Sequence, residues 1–188
     1  RNFACILLGQ CTSCCLNLLE KTVTNLIRLI KDPVSLVGAT ACKSLLPFIT
    51  VNNASFKDVI VTALIEAISS QNNTDVRIAA IEHLGTCFTL LSNTVDRVKI
   101  HVALQALYKD ANWNIRNAVL KTLATIAMTQ KNEKYEQQLV KDLLKQCNEP
   151  NTDIRQAACE CTLAFLQSKH QHEIASQLLN MCKDANNW

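Results

Sequence analysis

Asp75-Val-Arg-Ile-Ala-Ala80 is the stretch that decides the fold, because it returns. Asn114-Ile-Arg-Asn-Ala-Val119 and Asp153-Ile-Arg-Gln-Ala-Ala158 follow at intervals of 39 residues, and a degenerate copy, Leu36-Val-Gly-Ala-Thr-Ala41, stands 39 residues before. Self-similarity at a fixed period of this size is the mark of a repeat architecture. Around the motif, one column holds Val37, Val76, Ile115 and Ile154, and the next Ala41, Ala80, Val119 and Ala158. Then come Leu45, Leu84, Leu123 and Thr162, followed by Phe48, Cys87, Ile126 and Phe165, and directly after these Ile49, Phe88, Ala127 and Leu166. Offsets of 0, 4, 8, 11 and 12 trace one stripe of an α-helix. Each repeat therefore has a helix with the same buried face.

A first helix precedes each of these, over residues 17–31, 55–70, 94–109, 134–147 and 170–183. Apolar residues stand in these at helical spacing, for example Val59, Ala63, Leu64, Ala67 and Ile68. Polar turns such as Gln71-Asn-Asn-Thr74 and Asn148-Glu-Pro-Asn-Thr152 link first to second helix, and their Asn, Asp and Thr side chains can accept from the free N–H groups that start the next helix. Pro33 suits a first helical position, where no N–H is needed. The expected fold is all-α: a right-handed α-solenoid of stacked antiparallel helix pairs. The chain reads as one solenoid segment, 1–188, of a longer array. In it 1–16 is the second helix of a partial repeat, 17–52, 53–93, 94–132 and 133–169 are helix pairs, and 170–188 is the first helix of another partial repeat.

The turn, then Asp-Val-Arg-x-x-Ala, then Leu, at a 39-residue period, resembles HEAT repeats over nearly the whole chain. The resemblance implies that the Asp and Arg of the motif pair between neighbouring repeats. Carried over, that makes Asp75, Arg77, Asp153 and Arg155 an inter-repeat ladder, with Asn114 and Arg116 continuing it. Leu36 and Gly38 depart from the pattern in repeat one.

The totals agree with a folded helical chain. Of 188 residues, 48% are hydrophobic and 19% charged, with only three Gly and three Pro to punctuate helices. A net charge of +3 without a basic stripe argues against nucleic acid as a partner, and no apolar run reaches membrane-spanning length. The N-terminus lacks the charged region and cleavage site of a signal peptide.

Ten cysteines raise the question of metal or redox chemistry. Cys11-Thr-Ser-Cys-Cys15 contains a Cys-x-x-Cys pair, but aligned on Leu84–Asn93 it places Cys14 and Cys15 where Leu90 and Leu91 stand. A zinc site needs four ligands, and no second such pair occurs. The thiols read as small hydrophobes, in a reducing, cytoplasmic compartment, with association with the cytoskeleton as the narrower alternative. No catalytic constellation, cofactor motif or metal-ligand set is present in the sequence, so the expectation is no enzyme.

Two surfaces are candidates for binding. Lys43, Glu82, Lys121 and Glu160 share one column, six residues after the Val/Ile position, and alternate in sign; they form an expected partner-binding face. Lys109 with Trp113 and Lys183 with Trp188 enrich one edge of turns, and this edge resembles the tubulin-binding edge of TOG-type HEAT domains. The first reading is thus a non-enzymatic scaffold or adaptor for protein partners. The second is a tubulin, other cytoskeletal or ciliary protein, and the third a cysteine-based metal or redox protein.

Overall fold

The computed structural model describes residues 1–10, 16–51, 54–69, 72–130, 133–166 and 169–183. Among these, every regular element is a helix. In order they are α1 (Asn2–Gly9), α2 (Leu16–Ile30), α3 (Ser35–Ser44), α4 (Leu46–Ile49), α5 (Ala54–Ala67), α6 (Thr74–Leu90) and α7 (Thr94–Gln105). A 3-10 turn, Ala106–Lys109, precedes α8 (Trp113–Gln130), α9 (Glu133–Gln146), α10 (Thr152–Leu163) and α11 (Gln171–Lys183).

The chain divides into two compact units, Arg1–Ala106 and Leu107–Trp188. In the first, α1, α3 and α6 pack side by side as one layer of second helices. First helices α2, α5 and α7 form the other, and α2–α3, α5–α6 and α6–α7 contacts join the layers. In the second unit α8 packs on α10, and α9 packs on α8, α10 and α11.

The repeated stripe is what holds these layers. Of its twenty positions, all but Leu166 are buried. At roughly 1.5–3 kcal/mol for each fully buried large aliphatic or aromatic side chain, this stripe dominates the stabilisation of the second helices. The first helices behave less simply. Ala63, Leu64, Ala67 and Ile68 are buried, but Val59 is 46% exposed, and Phe56, Ile60 and Val61 face inward instead.

Repeat one departs from a continuous second helix. Pro47 has no N–H to give to the carbonyl one turn back, so α3 ends and α4 restarts after Leu45, with Leu45 N–H donating to Cys42 O. Pro33 lies in the turn ahead of Ser35 rather than at the first helical position. The caps resolve into a column. Asn73, Asn112 and Asn151, each 39 apart, accept from Asp75, Asn114 and Ile154 N–H at 2.9, 3.0 and 3.1 Å. In repeat one that position is Val34, which has no side-chain cap to offer. Asp32 Oδ1 accepts from Val34 N–H at 3.0 Å, and its Oδ2 pairs with Arg1 at 3.1 Å.

Candidate partner-binding surfaces

The motif arginines project from the start of each second helix toward the end of the first helix of the same repeat. Arg77 is 5% exposed and its Nε donates to Ile68 O at 2.9 Å. Arg116 Nη1 donates to Asp110 O at 2.7 Å and Ala111 O at 3.4 Å. Arg155 Nη1 donates to Glu149 O and Pro150 O, both at 2.9 Å, and its Nη2 to Thr152 Oγ1 at 3.2 Å. Ile68 directly follows α5, and the carbonyl acceptors of Arg116 and Arg155 lie in the turns between helices, where a carbonyl has no helical partner and a guanidinium supplies one. The acid of the motif reaches the other way: Asp75 Oδ2 accepts from Ser35 Oγ of the preceding repeat at 3.3 Å. The bonds described for the arginines thus run inside a repeat, while that of Asp75 runs between repeats. Asn114 and Asp153 sit beside their helix caps, half-buried and exposed respectively.

The charged column is exposed throughout: Lys43 and Glu82 in the first unit, Lys121 and Glu160 in the second. Among the described residues no ion pair joins Lys43 to Glu82 or Lys121 to Glu160. Fully hydrated charges gain little by pairing, under about 1 kcal/mol, so long side chains stay in water. Glu160 Oε1 accepts from Gln156 Nε2 on its own helix at 2.9 Å. Lys43 has a second effect. The half-buried His83 is held neutral by burial, with the Lys43 charge adding to it, and its pKa falls from 6.5 to about 4.

Of the turn edge, Lys109 is exposed and Trp113, the first residue of α8, is half-buried. The side chains of Lys183 and Trp188 lie outside the described residues. Lys109 lines a groove of about 440 Å³ together with Tyr108, Arg116, Lys145, Gln146 and Glu149. Gln146 is 9% exposed and its Oε1 is buried without a hydrogen-bond donor.

Most of the described thiols are buried in the helix packing. Cys5, Cys42, Cys87, Cys147 and Cys161 are buried, and Cys159 is half-buried. Burial pushes Cys42 and Cys87 up to about 12 and Cys161 up to about 11, so these stay protonated at neutral pH. Among the described residues no group of three or more His, Cys, Asp and Glu is placed to hold a metal ion. The segment Cys11–Cys15 lies outside the described residues.

Three features escaped the sequence reading. Lys99 Nζ meets Asp58 Oδ1 at 2.9 Å and Asp96 Oδ1 at 3.6 Å, joining α5 to α7. Asp58 and Lys99 stand 41 residues apart, so a search of columns at 39 passes over them. Val95, Val98 and Val102 form an exposed apolar stripe on α7, at 60, 55 and 58%. Cys159 Sγ lies 3.7 Å from Cys147 Sγ. The asparagine caps could have been found, since their column keeps the 39-residue period.

Comparison with known proteins bears on the fold. The sequence profile of HEAT repeats matches residues 61–161. No curated protein matches the sequence. Among solved structures, the chain is similar to a crystal structure of Kap121p, with a TM-score of 0.60 and 22% identity over 93% of this chain and 18% of that one. It is also similar to the karyopherin Kap121p bound to the extreme C-terminus of the protein phosphatase Cdc14p, with a TM-score of 0.60 and 20% identity over 98% and 19% of the two chains. A designed armadillo repeat protein in complex with the peptide (KR)4 aligns with a TM-score of 0.54 and 17% identity over 87% and 74%. The chain spans about a fifth of the length of the karyopherin chains. At such identities the likeness is one of fold: an all-helical solenoid. No helix among the described residues is long and apolar enough to cross a membrane.

Proposed function

The chain belongs to the HEAT-repeat family, and from that premise we propose that it is a non-enzymatic scaffold or adaptor that binds a protein partner through its second-helix face. The fold class is typical of protein-binding scaffolds. Two of the similar solenoids hold polypeptides, the C-terminus of Cdc14p in one and (KR)4 in the other. One observation carries the reading. Lys43, Glu82, Lys121 and Glu160 are all exposed, and within each unit the two charges do not neutralise one another. They remain available for complementary charges on a partner, which set specificity and association rate more than raw affinity. The scattered thiols suit a reducing compartment such as the cytoplasm.

A second reading rests on the groove at Lys109. Trp is a residue type of binding hot spots, and a Trp with a Lys at a turn is the combination of the tubulin-binding edge that the sequence resembles. The experiment is affinity capture from the native cell, followed by variants of the same chain. Glu82→Lys with Glu160→Lys makes the column uniformly basic and is expected to abolish capture of the partner without loss of helicity, while Trp113→Ala leaves it nearly intact. Loss of binding in Trp113→Ala alone, with the fold intact, transfers the site to the turn edge, and co-sedimentation with microtubules then tests tubulin as the partner.

A further inference from the structure

One pair of groups is used by neither surface. Cys147 directly follows α9, and Cys159 lies on α10, 12 residues on. Their sulfurs stand 3.7 Å apart, the Cys159 thiol donating to Cys147. The turn between them is held in place: Asn151 caps α10, and Arg155 clamps the carbonyls of Glu149 and Pro150. The two thiols therefore meet on ordered backbone. The sulfurs are in van der Waals contact, within about 2 Å of the disulfide length of about 2.05 Å. The pair is also asymmetric. Cys147 is 1% exposed, whereas Cys159 is half-buried and within reach of a small reagent.

We propose that Cys147 and Cys159 form a reversible disulfide within the fourth helix pair, made by exchange with a low-molecular-weight disulfide of the glutathione type. The Cys159 thiol gives its proton to water, and its thiolate attacks one sulfur of RSSR. The Cys159–S–S–R bond forms, the RS–SR bond breaks, and RS⁻ leaves and takes up a proton. Cys147 gives its proton to water in turn, and its thiolate attacks the Cys159 sulfur. The Cys147–Cys159 bond forms and the second RS⁻ leaves to become RSH. Two cysteine thiols are oxidised by two electrons, one RSSR is reduced to two RSH, and excess RSH reverses both steps. Access sets the order. Burial and the neighbouring thiols raise Cys147 above the ordinary cysteine range, so it acts second, when the mixed disulfide is already beside it. The product ties the end of α9 to α10 across the turn and restricts the unfolded chain.

The test uses the full chain, folded, in oxidised glutathione, followed by acid quench, alkylation and trypsin. Cleavage after Lys145, Arg155 and Lys169 puts Cys147 on one peptide and Cys159 with Cys161 on the next. The expected product is the two peptides joined with loss of two hydrogens, separated again by dithiothreitol, and a melting temperature raised by roughly 5 °C or more in the oxidised chain. Cys161→Ser keeps the joined peptide. Cys159→Ser loses it, and Cys147→Ala leaves Cys159 as its glutathione adduct. Circular dichroism confirms that each variant folds. The proposal is overturned if the wild-type chain stops at the Cys159 adduct, if the joined peptide vanishes in Cys161→Ser, or if both cysteines remain reduced.

Discussion

Repeats one and two, both inside the unit Arg1–Ala106, seal the junction between first and second helix in opposite ways. At one column of the 39-residue period, repeat two has Arg77 and repeat one has Gly38. Arg77 is buried and sends Nε to the carbonyl of Ile68, at the end of its first helix. At Gly38 there is no side chain to send. A Cβ placed there would lie 2.7 Å from Ile30 O and 2.9 Å from Val76 Cγ2, so the backbone of α3 itself lies against the end of α2. One junction is bridged by a long cationic arm and the other is closed by direct approach. The caps differ in the same sense, Asn73 against Val34. What the architecture needs at this column is a sealed helix end, and the local spacing of two helices decides whether a long cationic side chain or bare backbone seals it.

The largest test of that contrast is Arg77→Ala. It removes a charged donor from a buried carbonyl and the packing of the arginine stem, and is expected to cost about 2–3 kcal/mol in chemical denaturation. Arg116→Ala and Arg155→Ala, at half-buried positions, should cost about 1–2 kcal/mol each. Equal losses at all three would show that depth of burial is not what distinguishes repeat two.

Next in size is a pH effect at another shared column, where repeat two has His83 and repeat one Ser44. In the folded chain His83 protonates only near about 4 instead of 6.5. Between these values the unfolded chain binds the extra proton, so stability rises with pH across the window and is lost as pH falls through it. With partial exposure allowed for, the loss from pH 6.5 to 4 is roughly 2 kcal/mol. His83→Ser, which copies repeat one, should flatten this slope; melting curves from pH 4 to 7 that match wild type would remove His83 as its cause.

Gly38→Ala comes third. Alanine is the better helix former by about 1 kcal/mol, yet overpacking against a backbone oxygen costs about 1–3 kcal/mol. A net loss of roughly 1 kcal/mol is expected, read as a lowered midpoint in urea. A gain would mean that the junction opens at no cost and that direct approach is not what closes it. The smallest effect should be Val34→Asn, which gives repeat one the cap of the others. It is expected to stabilise by about 0.5–1 kcal/mol, whereas Asn73→Ala should lose about 1 kcal/mol. A destabilised Val34→Asn would show that Asp32 already fills the role.

The residues by themselves determined the period, the inward stripe and the polar turns. A helix buries one side, and that side recurs every 3.6 residues whatever lies opposite it, so Val76, Ala80 and Leu84 declare the inside without a partner in view. The caps were within reach for the same reason, since an asparagine at a helix start bonds to its own neighbours. What only the tertiary structure decided is which atoms on different helices meet. Arg77 reaches Ile68 O, Lys99 reaches Asp58, Cys159 touches Cys147, and Val59 faces outward although its spacing reads as apolar. These depend on the distance and rotation of one helix against the next. A shift of about an ångström separates a hydrogen bond from an empty gap, and periodicity carries no information at that scale. Binding surfaces belong to the same class, because exposed residues are held by water rather than by the pattern that folds the chain.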